Sequence, residues 1–264
     1  MQAFRLADSD YIEMMSGVVN KKYFGIRQES YDKYSPELIG LGNLTIESKP
    51  FLGVCAFFDL EGFTHFTEQR DSELAIPKYM NAFLHWFFVS VKAGSIHEKT
   101  NDGYLLWHKF PIMLKFLGDG FMIIWDTVGL TQFEETNIIG SCQDICQKYN
   151  SDFLKTILGQ VADAPTRLRC GIAKGKILTI GNGDDFIGPV VNLAARLQKL
   201  ETFTFAWATK GIDLDDPTKN AVKRKWIHVN VPIRGMDHTE NVYVSRQELE
   251  NIGNPEEKRI RILE

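Results

Sequence analysis

Residues 57–66, which read FFDLEGFTHF, place one carboxylate, Asp59, after a run of apolar side chains and before a glycine at position 62. The apolar residues that lead into Asp59, from position 51 onward, are typical of a buried strand. A carboxylate at the end of such a strand is costly unless it is paired, hydrogen-bonded or bound to a metal ion. The sequence therefore predicts that Asp59 has a partner elsewhere in the chain.

A second acid lies on a turn between two predicted strands. Residues 112–117 and 121–125 have strand character, and Gly118-Asp119-Gly120 between them is typical of a tight hairpin turn. If this hairpin neighbours the strand that ends at Asp59, both carboxylates emerge at one edge of a sheet, where they can bind Mg²⁺. Two structural alternatives remain open: Asp-Gly is also a favoured turn dipeptide, and Asp59 could cap the segment that follows it.

Residues 190–200 are predicted to form a helix that presents one polar stripe. Gly188 and Pro189 suit its start, and Asn192, Arg196 and Lys199 follow one another at helical spacing. A guanidinium on this stripe can brace a phosphate group, whereas the alternative is an ordinary solvated helix face.

Composition and charge exclude several classes of partner. The 264 residues are 44% hydrophobic and 24% charged, enough for one large domain or two small ones, and the net charge of −4 provides no basic field for nucleic acid. No apolar run approaches the roughly 20 residues that a membrane helix needs. Four cysteines without a CxxC pair, and a start without a signal segment, predict a cytoplasmic protein.

Strand and helix patterns alternate with hairpins, which favours an α+β sandwich over a purely parallel sheet. Residues 1–49 are expected to be an irregular lead-in with one helix near 11–19. The remaining predicted elements are strands at 51–60, 104–107, 226–233 and 241–244, helices at 72–91 and 134–149, and a second hairpin of 167–172 with 176–180 around Lys174-Gly175.

Four stretches resemble, in order, the signatures of the class III nucleotide cyclases. They are CAFFDLEGFTHFTE at 55–68, MLKFLGDGFMIIW at 113–125, RCGIAKGKI at 169–177 and DFIGPVVNLAARL at 185–197. The resemblance extends from position 51 to about 244. It implies a catalytic domain at 50–246 with a ferredoxin-like βαββαβ sandwich plus additions, followed by a charged tail at 247–264.

The resemblance also implies a mechanism and a homodimer with composite active sites. Asp59 and Asp119 match the aspartates that bind two divalent cations, Mg²⁺ or Mn²⁺. Asn192 matches the residue that orients the ribose of a nucleoside triphosphate, and Arg196 the one that stabilises charge on the α-phosphate. Arg234, in the tail stretch VPIRGMDHTE, is the candidate for holding the terminal phosphates, although Met236 stands where a second cation is expected.

Lys115 and Asp185 match the base-reading lysine and aspartate of adenylate-type members. A lysine donor beside a carboxylate acceptor suits the edge of adenine and also that of cytosine, which argues against guanine and less firmly against uracil. Phe58 and the added segment 92–110 could narrow the base pocket, although Phe58 also has the alternation of a core residue.

Because the sensor domains and membrane spans usual in adenylate cyclases are absent, the chain resembles most the stand-alone bacterial pyrimidine cyclases. The resemblance implies synthesis of cyclic UMP or cyclic CMP in phage defence, with an effector protein activated by that product. The alternatives are an adenylate cyclase that makes cyclic AMP and an inactive cyclase-like regulatory subunit; a polymerase palm is disfavoured because the chain lacks a basic groove.

Overall fold

The computed structural model describes residues 11–15, 22–32, 40–200, 202–212 and 225–263. The strands, in chain order, are β1 Tyr11–Met15, β2 Lys22–Ile26, β3 Pro50–Glu61, β4 Ile96–Lys99, β5 Tyr104–Leu106, β6 Met113–Phe116, β7 Gly120–Asp126, β8 Arg167–Ile180, β9 Asp185–Ile187, β10 Phe205–Ala208, β11 Trp226–Pro232, β12 Thr239–Ser245 and β13 Arg261–Ile262. The α-helices are α1 Gln28–Asp32, α2 Phe63–Glu68, α3 Ser72–Ser95, α4 Gln132–Lys148, α5 Leu154–Ile157, α6 Pro189–Leu197 and α7 Arg246–Glu250.

The chain divides into two compact units, and the smaller one contains Met1–Lys49 and Leu178–Ile187. In it, β1 pairs with β2 in antiparallel fashion, and the end of β8 pairs with β9. The helix predicted near 11–19 is wrong for Tyr11–Met15, because pairing with a second strand overrides the local pattern; positions 16–19 lie outside the described residues. The lead-in is therefore not irregular throughout.

The larger unit, Pro50–Ile177 with Gly188–Glu264, is built on a mixed sheet. The strand order is β13-β11-β12-β10-β8-β3-β7-β6. β10 runs parallel to β8, whereas β3 with β7, β6 with β7, and β11 with β12 are antiparallel. Helices pack with this sheet, so the predicted α+β class is confirmed.

The second predicted hairpin is wrong, because residues 167–180 form one continuous strand, β8. Lys174-Gly175 has the composition of a turn, but both residues stay within the strand. A Cβ at Gly175 would lie 2.7 Å from Cγ2 of Val190 in α6, so the glycine marks a close approach of helix to strand. Lys174 forms an ion pair of 2.7 Å with Glu135 of α4.

An aromatic core joins β3 and β7 to α3. The ring of Phe87 stacks on Phe121 at 4.1 Å and meets Phe58 edge-on at 5.1 Å. Phe58 is 1% exposed, which confirms that it is a core residue. Since neighbouring side chains on a strand point to opposite faces, this packing turns the side chain of Asp59 away from the aromatic core.

Helix α4 adds a second layer to the same core, and its start is encoded locally. Thr131 and Glu134 form a reciprocal capping box at its N-terminus.

Among the residues that the structure describes, no helix is both long and apolar enough to cross a membrane.

Candidate functional site

The two predicted acids lie on neighbouring strands at one end of the sheet. Asp59 of β3 is directly opposite Gly120 of β7, and the backbone amide of Leu60 donates to the carbonyl of Asp119 at 3.0 Å. The turn that carries Asp119 closes with a hydrogen bond of 2.9 Å from the amide of Leu117 to the carbonyl of Gly120. The strand pairing that the sequence required for a shared carboxylate site is therefore present.

Both carboxylates line a cavity of about 910 Å³ that also receives basic side chains. The basic residues lining it with no carboxylate partner among the described residues are Arg196, Lys199, Arg234 and Lys258. One cavity of a single chain thus combines two acids with five cations, these four and Arg169 of β8. Such a mixture suits a ligand that carries phosphate groups and associated cations.

The guanidinium of Arg196 is held in place by the connection between β11 and β12. Its Nη1 donates to the carbonyl of Arg234 at 2.8 Å. Gly235, which has a φ of 75°, packs against the same group, since a Cβ there would lie 2.8 Å from Nη1. The absence of a side chain at Gly235 therefore leaves the space that Arg196 needs to reach the carbonyl of Arg234.

Arg169 of β8 is a residue of the cavity that the sequence reasoning missed. It forms an ion pair with the carboxylate of Asp59, and the two side chains are only 14% and 15% exposed. Its Nη1 also approaches Glu61 at 3.5 Å. Asp59 thus has the partner that its position in a buried strand predicted.

The ion pairs extend along the strands because β8 neighbours β3. Arg167 forms two hydrogen bonds to the carboxylate of Glu61, one of them at 2.8 Å. These bonds lower the pKa of Glu61 below its ordinary value, against the opposing effect of burial. The sequence signal for these ion pairs was a shared spacing. Asp59 and Glu61 are two residues apart on β3, and Arg167 and Arg169 are two residues apart on β8.

The other predicted site residues lie at different places. Asn192 is exposed on α6, one turn before Arg196, and is not among the residues that line the cavity. Lys115 is half-buried on β6 opposite Met122. Asp185 belongs to the smaller unit, where it begins β9 and its carboxylate accepts a hydrogen bond of 2.9 Å from the amide of Phe186.

The donor set at Asp59 and Asp119 fits hard divalent cations bound together with a substrate. Among the described residues there is no cluster of three or more His, Cys, Asp or Glu side chains able to hold a metal ion. Mg²⁺ is commonly held by only one or two carboxylates, with substrate phosphates and waters as the remaining ligands. Two aspartates beside a basic cavity suit that mode of binding.

Comparison with solved structures identifies the fold. A bacterial light-regulated adenylyl cyclase matches with a TM-score of 0.51 and 19% identity, covering 83% of this chain and 60% of the other. The guanylyl cyclase Cya2 matches with a TM-score of 0.54 and 16% identity, covering 76% of this chain and 94% of the other. No protein-family model and no curated protein matches the sequence.

These similarities confirm the predicted fold, which is that of the catalytic domains of adenylyl and guanylyl cyclases. The chain spans about 60% of the length of the light-regulated enzyme. At 16–19% identity the likeness establishes the fold alone.

Proposed function

We propose that this chain is a class III nucleotide cyclase that converts a nucleoside triphosphate into a 3′,5′-cyclic nucleotide and pyrophosphate. The observation that carries the proposal is the sheet edge that brings Asp59 and Asp119 together beside a cavity lined by basic side chains. The cyclase fold and the four matching sequence stretches support it. On this proposal, residues 50–246 form the catalytic domain, acting in the cytoplasm.

The reaction is an in-line displacement at the α-phosphorus. The ribose 3′-oxygen forms a bond to that phosphorus while the bond to the β-phosphate oxygen breaks, the hydroxyl proton is released, and pyrophosphate leaves with the bonding electron pair. Arg196 meets the negative charge that develops on the α-phosphate oxygens, and Asn192 orients the ribose. Because that charge grows during the reaction, Arg196 contributes more to turnover than to binding.

Asp59 and Asp119 are the residues that would hold two Mg²⁺ or Mn²⁺ ions. When bound, such ions supply activation of the 3′-hydroxyl and neutralisation of the pyrophosphate leaving group. A divalent cation that binds Asp59 would compete with the guanidinium of Arg169 for the same carboxylate. Cation binding would therefore exchange one positive partner of Asp59 for another.

A homodimer with composite sites is part of the proposal. In it, the acids of one copy act with Asn192 and Arg196 of the second copy.

The base is proposed to be a pyrimidine, so that the product is cyclic CMP or cyclic UMP. Lys115 and Asp185 are the proposed reading residues, with a donor and an acceptor that suit cytosine. The product would then activate an effector protein in bacterial antiviral signalling. ATP is the alternative substrate, because adenine presents the same donor and acceptor edge and a solved structure of similar fold is an adenylyl cyclase.

Incubation of the purified protein with Mn²⁺ and each of ATP, GTP, CTP and UTP is expected to give cyclic CMP or cyclic UMP, identified by mass. The reaction should stop when the divalent cation is chelated. Asp59 and Asp119 are themselves negatively charged, so without the cations they cannot neutralise the triphosphate. Cyclic AMP as the sole product would overturn the pyrimidine preference and leave the cyclase proposal intact. No cyclic product from any of the four would favour an inactive regulatory subunit.

Replacement of Gly235 by alanine is expected to lower kcat by about 10- to 100-fold, because the added methyl group displaces the guanidinium of Arg196. The expected change in KM is small, since Arg196 acts mainly in the transition state. Steady-state kinetics with the preferred nucleotide measure both constants.

The matched control is Gly129→Ala. Gly129 has a φ of 78°, nearly that of Gly235, but a Cβ there would meet nothing within 4 Å. Both variants carry the same left-handed backbone cost of about 1–2 kcal/mol, so only the contact with Arg196 separates them. Equal kinetics for the two variants would contradict the positioning role of Gly235.

A further inference from the structure

A buried histidine joins three elements away from the sheet-edge cavity. His108, in the segment between β5 and β6, is only 2% exposed. Its Nδ1 lies 2.9 Å from the carbonyl oxygen of Lys109, and its Nε2 lies 3.1 Å from Oγ of Ser141 in α4. Oγ of Ser141 in turn donates to the carbonyl of Gly94 in α3 at 3.0 Å. One line of hydrogen-bonding groups therefore joins the segment before β6 to both helices.

These contacts define the protonation state in which the ring fits. A carbonyl oxygen only accepts, so Nδ1 of His108 carries a proton. In the neutral ring Nε2 is then an acceptor facing the hydroxyl of Ser141, whose single proton is shared between Nε2 and the carbonyl of Gly94. Protonation turns Nε2 into a donor and places a positive charge in a site closed to solvent. The bond between Ser141 and His108 therefore reverses when the ring takes up a proton.

The surroundings of His108 compensate that charge poorly. From β7, the ring of Trp125 meets it edge-on at 6.5 Å and carries no charge, and α3 contributes a backbone carbonyl to the line. The ammonium of Lys109 donates to another backbone carbonyl at 2.7 Å. Glu134 of α4 attracts the charged ring, but its carboxylate is already engaged in the capping box of that helix. Burial outweighs Glu134 and the Lys109 carbonyl, and it lowers the pKa of His108 below its ordinary value.

The segment that His108 anchors is the base of an exposed ribbon. It begins at Trp107, whose amide donates to the carbonyl of Ser95 in α3 at 2.9 Å and whose carbonyl accepts from Asn137 of α4 at 3.3 Å. Before it lies the antiparallel pair of β4 and β5, in which all three residues of β5 are apolar and exposed. A two-stranded ribbon has little stability of its own. The attachment at Trp107 and His108 therefore decides how well the ribbon is ordered.

We propose that His108 is a pH-sensitive latch that holds the segment before β6, and with it the ribbon, against α3 and α4. The neutral ring closes the latch by bridging Lys109 and Ser141. Protonation opens it, because a charged ring regains its hydration by leaving the site. The latch goes beyond the cyclase function proposed above and does not depend on it.

Proton linkage sets the direction of the response. The closed latch binds the proton less readily than the open one, because burial lowers the pKa of His108 only in the closed state. Closure is therefore fully favoured above the ordinary pKa of histidine. It weakens as the pH falls from that value toward the pKa of the closed state.

Hydrogen exchange of the whole chain, followed by mass spectrometry from about pH 7.5 to about pH 5 and corrected for the intrinsic exchange rate, tests the latch. The protection factor of residues 95–112 should fall by up to about 10-fold per pH unit below the ordinary pKa of histidine, which is the slope for one linked proton. Amides in the centre of β7 should show no matching fall, because the opening is local. Protection of residues 95–112 that does not change with pH would overturn the proposal.

Nuclear magnetic resonance of the ring nitrogens provides a second measurement on the same protein. At about pH 7.5 the ring of His108 should be neutral with its proton on Nδ1, and it should titrate below the ordinary value. A neutral ring with its proton on Nε2, or one that titrates at or above the ordinary value, would contradict the latch. This measurement needs neither turnover nor a variant.

His108→Gln replaces the ring by an amide that can donate from the position of Nε2 but cannot become charged. The segment should then stay protected throughout the pH range. The matched control is His97→Gln, because His97 is an exposed histidine of the same ribbon that stacks on Trp107 at 3.9 Å. The control should keep the full pH response, and a response lost in His97→Gln would assign the effect to that ring instead. If His108→Gln does not fold, the wild type and His97→Gln still decide the question.

Discussion

Asp119→Asn is expected to reduce cyclic nucleotide formation by about 10²- to 10³-fold, the range found when one preorganised electrostatic group is removed from an active site. The substitution keeps the shape of the side chain and removes the charge that the divalent cations need. It leaves the turn intact, because an asparagine before Gly120 is also a favoured hairpin dipeptide. Turnover with the preferred nucleotide and Mn²⁺ measures the loss.

The fold of this variant should be unchanged or slightly more stable. The hydrogen bond from Leu60 goes to the backbone carbonyl at position 119, which the substitution retains. Removing one of two neighbouring carboxylates also relieves repulsion with Asp59. A large fall in the thermal unfolding midpoint would therefore assign Asp119 a structural role and count against its catalytic one.

Mixing the Asp119→Asn protein with an Arg196→Ala protein separates composite sites from sites within one chain. In a homodimer with composite sites, a mixed dimer carries both defects in one site and neither in the other, so about a quarter of wild-type activity should return when subunits exchange freely. No recovery after exchange would show that Asp119 and Arg196 act within the same chain, as their shared cavity also permits.

The sequence predicted the parts of the site that depend on neighbouring segments. The hairpin around Asp119 was evident from its glycines, whereas its pairing with the strand that ends at Asp59 was a condition of the shared-carboxylate hypothesis, and the strand register meets that condition. Gly175 was misread because turn composition cannot distinguish a turn from a close approach of α6. The same local reading gave a helix at Tyr11–Met15, where pairing with β2 produces a strand.

The parts that were missed depend on contacts between distant segments. The matched spacing of acids and arginines is visible in the sequence, but it assigns Arg169 to Asp59 only once β8 is known to lie beside β3 in the sheet. Lys258 enters the cavity only because the tail pairs with β11. Periodicity and turn chemistry report on local structure, so residues brought together by the sheet order remain hidden until the fold is known.

Gly120→Ala is expected to have the largest effect on stability, because a Cβ at this position would lie 1.9 Å from the backbone carbonyl oxygen of Phe58. Neither atom belongs to a flexible side chain, so β3 and β7 have to separate where Asp59 faces Gly120. We expect the free energy of unfolding to fall by about 3 kcal/mol, the upper range for overpacking a well-packed site. Denaturant unfolding followed by circular dichroism measures it.

The same separation should reduce turnover by about 10²-fold even where the protein remains folded, because a displacement of about 1 Å in catalytic geometry has that effect. Gly140→Ala is the control, since Gly140 lies in α4 and a Cβ there would meet nothing within 4 Å. Alanine is the better helix former by about 0.5–1 kcal/mol, so the control should be as stable as the wild type or more so. Wild-type stability and turnover in Gly120→Ala would show that the strands do not approach this closely, and the shared position of the two acids would then lose its structural basis.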